Sequence, residues 1–161
     1  TNKIDFLFSE SIMAPNNSEC EIARVSEGEE IVINEGLVES FAIQYDYIYG
    51  EAHRKHEEKI ISSIYRYRKG RHFASMENEI VLLVDEGTKF MVALKTILAQ
   101  KPKAVYIAVP VLPKDVLELL ESFTDEIYFL HDIDDYIDTS LYYKEFETID
   151  DETIEKLLEE K

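Results

Sequence analysis

The stretch EIVLLVDEGTKFMVALKTILAQ, from Glu79 to Gln100, constrains the fold more than any other part of this chain. Five apolar residues, Ile80 to Val84, run without alternation into the acidic pair Asp85-Glu86. A Gly-Thr turn follows, and then a helical pattern. An unbroken apolar run of this length predicts a strand buried on both faces, as in a parallel sheet. Two carboxylates at its carboxyl end, just before a helix N-terminus, stand where open α/β sheets bind their ligands. The arrangement points to a hydroxyl-rich, phosphate-bearing ligand.

The rest of the chain reads as alternating strands and helices. Strands are predicted at 4–8, 21–26, 30–34, 79–85, 104–109 and 126–131, and helices at 36–42, 46–68, 89–99, 113–123 and 150–160. Pro113 suits a first helical turn, and Val116, Leu119, Leu120 and Phe123 give its helix an apolar stripe. The strand–helix–strand–helix–strand succession between 79 and 131 predicts a parallel sheet with right-handed crossovers. The strands at 21–26 and 30–34, parted by Ser26-Glu27-Gly28-Glu29, predict a hairpin. With 161 residues and no linker rich in Pro and Gly, one α/β domain spanning 1–161 is expected.

Charge narrows the partners. A net charge of −17 argues against a nucleic-acid polymer, whose phosphates demand basic surface. The charge is uneven: Glu51 to Arg71 holds seven Lys/Arg against three Glu, whereas Thr124 to Lys161 holds fourteen Asp/Glu against three Lys. The basic island reads either as an anion-facing helix end, with Arg68, Lys69 and Arg71 around Gly70, or as a solvated helix with pairs such as Glu51–Lys55. No apolar run approaches the roughly 18 residues of a membrane helix, so no membrane partner is expected. Cys20 is a lone cysteine, and no Cys/His cluster has zinc-like spacing, which leaves a cytoplasmic location as the default.

The Ile80–Met91 stretch resembles the ribosyl-phosphate-binding motif of the type I phosphoribosyltransferases. Asp85 and Glu86 match that family's acidic pair, and Gly87 fits its turn. Further segments resemble, in order, a bacterial subgroup of predicted phosphoribosyltransferases: APNNSECEIARVSEG (14–28), IVINEGLVESF (31–41), YRYRKGR (65–71), AVYIAVPVLP (104–113) and LYYKEFETIDDETI (141–154). The resemblance implies a Rossmann-like, mainly parallel sheet flanked by helices, with a small antiparallel hairpin. It implies transfer of ribose 5-phosphate from phosphoribosyl pyrophosphate to a nitrogenous base, with Mg²⁺ carried by the diphosphate and no metal ligands from the protein. Asp85 and Glu86 would then hold the ribose hydroxyls and stabilise the developing positive charge. Main-chain groups of Gly87, Thr88, Lys89, Phe90 and Met91 would hold phosphoribosyl pyrophosphate or another phosphorylated ribose ligand, and Tyr136 would either stack the base or serve C-terminal packing. A homodimer is compatible with this reading.

The chain departs from the family pattern at three places. Phe90 and Met91 replace a Thr-Gly pair, Lys89 stands where many purine-specific members carry an Asp base, and Ser9-Glu10 replaces a basic pair. The family's pyrophosphate loop would precede Thr1, so the expected domain is incomplete at its N-terminus or lacks that loop. Bulky residues fit poorly in a cradle of inward N–H groups. A second reading follows: a relative that has lost catalysis and serves nucleotide sensing or protein association. Elsewhere, His53 and His56 have a metal-compatible spacing without a third ligand. His131-Asp132 with Asp134, Asp135 and Asp138 reads as a cation site or a solvated acidic loop, and Tyr142, Tyr143 and Phe146 read as C-terminal packing.

Overall fold

The structure, a computed structural model, describes residues 4–85, 90–147 and 149–159. The chain divides into two compact units, Thr1–Glu79 with Phe90–Lys103, and Ile80–Lys89 with Ala104–Lys161.

The first unit is built on an antiparallel sheet of β1 (Ser9–Ala14), β2 (Asn17–Ser26) and β3 (Ile31–Ile33), in the order β1-β2-β3. The apolar residues at 4–8 predict a first strand there, but the strand lies at 9–14 and converts the expected hairpin into three strands. SESIMA alternates as a half-buried strand should: Ile12 and Ala14 are in the core, while Ser9 and Ser11 face Arg24 of β2. The Arg24 guanidinium donates to Ser11 Oγ (2.6 Å), Ser9 Oγ (3.2 Å) and Glu21 Oε2 (2.8 Å). Phe8, from the displaced segment, instead stacks on Tyr67 with ring centroids 5.7 Å apart.

Helices fall where apolar periodicity predicts them: α1 (Glu35–Ser40), α2 (Tyr45–Lys55), α3 (Ile61–Arg68) and α4 (Met91–Ala99). Asn34 caps α1, its side chain accepting from the Leu37 N–H at 3.1 Å. A five-residue π-helical turn, His56–Ile60, joins α2 to α3 into one run. That run ends at Lys69 and Gly70, both at positive φ, with the Gly70 N–H donating to Ile64 O. Ile48, Ala52 and Ile60 from the run close over Ile12, Ile22 and Val25 of the sheet.

Two contacts fix the β2–β3 turn. The first is with α4: the Thr96 hydroxyl donates to Ser26 Oγ at 2.6 Å in a fully buried setting. A Cβ on Gly28 would stand 2.7 Å from Thr96 Cγ2, which explains a glycine there. The second is a buried ion pair between Glu27 and Arg68, whose side chains are 2% and 6% exposed. Glu27 also accepts from the Phe8 N–H (3.1 Å), and the Arg68 guanidinium lies over the Phe8 ring at 5.1 Å and the Phe73 ring at 5.9 Å. Arg68 is therefore a structural residue, which removes it from the anion-facing reading of the basic island.

The second unit holds β4 (Ile80–Val84), β5 (Ala104–Pro113), α5 (Lys114–Leu120), β6 (Glu126–Ile133), a 3₁₀ turn (Thr139–Tyr142) and α6 (Asp151–Glu159). The predicted sheet is present: β4, β5 and β6 are parallel, in that order. The unbroken apolar run of β4 predicts burial on both faces, and this is not what the strand does. Ile80, Leu82 and Val84 are each more than half exposed, whereas Val105, Ile107, Val109 and Val111 on the other face of β5 are buried. A strand's apolar content reports what it can bury and not what covers it. Among the described residues no helix is long and apolar enough to cross a membrane.

Removing one partner of a buried pair strands the other, at a typical cost of about 3–5 kcal/mol, so Arg68→Ala should lower the stability of the first unit by that order in denaturant unfolding. Burial pushes the Glu27 carboxyl above its usual range, with Arg68 and the Phe8 N–H opposing. A raised folded-state pKa means that stability from this group is present below its unfolded value and is lost as pH rises through the folded one. Loss of Arg68 raises that pKa further. The Arg68→Ala deficit should therefore be larger at pH 8 than at pH 5, and an equal deficit at both would show that Glu27 is not buried against Arg68. Gly28→Ala should independently cost about 1–3 kcal/mol through overpacking on Thr96.

Candidate functional site

Asp85 follows β4 directly, and its N–H donates to Ala108 O at 3.2 Å, so the strand's ladder holds the residue at the carboxyl end. Its side chain is partly buried. This is the edge at which parallel sheets present ligand-binding groups, because the strand ends there and the chain turns away. Of the other sequence-predicted residues, Glu86, Gly87, Thr88 and Lys89 lie outside the described residues. Phe90 caps the N-terminus of α4 and its side chain is 0% exposed, so only its main chain is available to an anion; Met91 begins the helix and is partly buried.

Tyr136 belongs to the second unit. Its ring stacks on that of Tyr142 with centroids 5.6 Å apart, and its hydroxyl shares a hydrogen bond with Thr139. One face of the ring is thus occupied by another aromatic of the same segment. The Tyr143 and Phe146 rings contact each other with centroids 5.1 Å apart, and Phe146 remains about half exposed.

The acidic turn after β6 gains a partner that sequence reading missed. Lys114 Nζ, at the start of α5, donates to Asp134 Oδ1 at 2.7 Å and approaches Asp132 Oδ2 at 3.9 Å. The Asp134 hydrogen bond holds the lysine ammonium above its ordinary range. The turn therefore already carries its own cation. Only the twenty-residue separation hid this pairing, since nothing local in the sequence joins the end of β5 to the end of β6. Lys114 is nevertheless remote from Asp85 along the sheet: β5 continues five residues beyond the Val84–Ala108 pairing, about 16 Å at ~3.3 Å per residue.

Two further features bear on the chemistry. An open groove of about 400 Å³ in the first unit is lined by Glu29, Glu30, Ile31, Ile33, Glu35, Tyr49 and Lys95. Its lysine is engaged, at 3.2 Å from Glu30 and donating to Ile31 O, so three carboxylates dominate and the groove repels phosphate. His56 of the predicted His53/His56 pair faces the Glu27 carbonyl at 3.2 Å. Among the described residues no three His, Cys, Asp or Glu are grouped to hold a metal.

No family model matches the chain, and no curated protein matches it. Among solved structures it is similar to the crystal structure of TT1426 from Thermus thermophilus, with 28% identity and a TM-score of 0.68. The match covers 97% of this chain and 75% of that one. The similarity is one of fold, and this chain's own is α/β, with a parallel three-stranded sheet and a separate antiparallel sheet.

If Asp85 presents its carboxylate to a ligand, Asp85→Asn should leave the thermal midpoint within about 2–4 °C, since the amide has the carboxylate's shape and the main-chain bond to Ala108 is retained. A collapse of the midpoint would make Asp85 a structural residue and remove it from the candidate site.

Proposed function

We propose that this chain is a phosphoribosyltransferase-type domain that binds phosphoribosyl pyrophosphate, or another phosphorylated ribose, at the carboxyl end of β4. The observation that supports the reading most directly is the position of Asp85 at the end of the first strand of a parallel sheet, in the segment whose residues match the family's acidic pair. In this reading Asp85 and Glu86 accept hydrogen bonds from the ribose hydroxyls. Main-chain N–H groups between Gly87 and Met91 take the phosphate, aided by the Lys89 charge. Mg²⁺ arrives on the diphosphate and shields it. As the bond from C1 of the ribose to pyrophosphate lengthens, the paired carboxylates stabilise the positive charge that develops on the sugar, and the acceptor base closes on C1.

Burial of Phe90 favours the second reading, a relative that binds without turning over. Where the family places a hydroxyl against the phosphate, this chain commits an aromatic side chain to the core. Binding and turnover are separate measurements and should be made separately. Calorimetry with phosphoribosyl pyrophosphate and Mg²⁺ should give saturable heat. Asp85→Asn should weaken it by about 10–100-fold, because a charge-assisted hydrogen bond is worth about 1.5–3 kcal/mol and about 1.4 kcal/mol is tenfold in affinity. No heat at millimolar ligand with folded protein would end the ligand-binding reading. Pyrophosphate release with any nucleobase would select the transferase over the non-catalytic relative.

A further inference from the structure

Arg68 offers more donors than its surroundings use. Its guanidinium is buried, and Nη2 is taken by the Glu27 carboxylate. Nε and Nη1 are buried without a hydrogen-bond partner among the described residues. Buried donors are almost always satisfied, so two on one side chain need a physical account. A second carboxylate stands close by: Asp5 Oδ1 is 3.9 Å from Nε, within ion-pair range but beyond a hydrogen bond. One cation thus lies between two anions and is hydrogen-bonded to one of them.

The two carboxylates hold different parts of the chain. Glu27 belongs to the β2–β3 turn, where its side chain is sealed from water. Asp5 is a third exposed and belongs to the segment before β1. Its oxygens accept from the Phe6 N–H at 2.9 Å and the Ala74 N–H at 3.1 Å, so it is already held facing Arg68. The helix end is held as well, by the Gly70 N–H on Ile64 O and by Arg71 Nε on Arg68 O. Only the guanidinium has to move to change partners, by roughly 1 Å, from 3.9 Å to the ~2.9 Å of a charge-assisted hydrogen bond.

The charge on Glu27 decides which partner wins. Burial pushes its carboxyl up, Arg68 and the Phe8 N–H oppose, and the Asp5 charge acts in the same direction as burial. His56, which also packs against this turn, meets the Glu27 main-chain carbonyl and not the carboxylate. A proton taken from solvent by Glu27 leaves Asp5 as the one charged partner within reach of the guanidinium. The turn would then be tied to the helices through Ser26 and Thr96 alone of its two side-chain clamps.

We infer that Arg68 is a two-position latch: it clamps the β2–β3 turn through Glu27 while that carboxylate is charged, and shifts to Asp5, clamping the segment before β1, when Glu27 takes up a proton. Glu27→Gln at pH 7 stands in for the protonated carboxyl. Its crystal structure should show Arg68 Nε within about 3.2 Å of Asp5 Oδ1. By NMR, the Arg68 Hε resonance should lie downfield of its position in the native protein, and adding Asp5→Asn should remove that shift. In the native protein the same resonance should move downfield on acidification, with the midpoint at which the Glu27 carboxyl carbon titrates. That titration carries the test if Glu27→Gln does not fold. A guanidinium left in place in Glu27→Gln, a downfield shift that survives Asp5→Asn, or a native Hε resonance that ignores the Glu27 midpoint would overturn the inference.

Discussion

The first unit is organised around one buried charge pair. Glu27 sits on the β2–β3 turn and Arg68 at the far end of the long helical run, and both are nearly sealed from water. A charge in that setting is tolerable only when paired and hydrogen-bonded. The carboxylate meets that condition, with Arg68 and the Phe8 N–H as its donors; the guanidinium is paired with Glu27 and lies over the Phe8 and Phe73 rings, while its Nε and Nη1 are buried without a hydrogen-bond partner among the described residues. Asp5 approaches Arg68 Nε at 3.9 Å and also accepts from the Ala74 N–H. The segment before β1, the turn after β2, the helix end and the irregular stretch beyond it are thereby tied to one point.

How much of this was legible in the sequence depended on whether the deciding partner was near in the chain. The parallel strands were legible because Ile80–Val84, Ala104–Val109 and Glu126–His131 are short apolar runs separated by helical periods, which only crossovers accommodate. The hairpin turn was legible from Ser26-Glu27-Gly28-Glu29. The first strand was not, because Ile4–Phe8 is more apolar than Ser9–Ala14, and its Phe8 ring covers a charge 60 residues away that no local pattern reveals. Arg68 was hidden for the same reason: an arginine in a basic run looks solvated until its carboxylate partner is seen.

The candidate site divides along the same line. Asp85 is placed by the strand that precedes it, a local inference that needs no tertiary knowledge. Lys114 gives no local signal because its partners lie at the end of the next strand and just beyond it. Phe90 falls in the first turn of a predicted helix, but only the fold shows that its side chain is committed to the interior. Tyr136 stands out as one of an aromatic group, but only the fold reveals that Tyr142 already occupies one face of its ring.

The π-helical turn at His56–Ile60 has a consequence of helical phase. Each residue of an α-helix advances the direction of its side chain by about 100°, at 3.6 residues per turn. A π turn accommodates an additional residue without shifting the axis, so everything beyond it points differently than an uninterrupted helix would allow. Here Ile48 and Ala52 before the turn, Ile60 at its last position and Arg68 after it all face inward. Deleting one residue from 56–60 would leave a more regular helix, yet it would swing Arg68 by about a quarter of a turn, away from Glu27. The least regular part of the helix is what sets the aim of its last buried side chain.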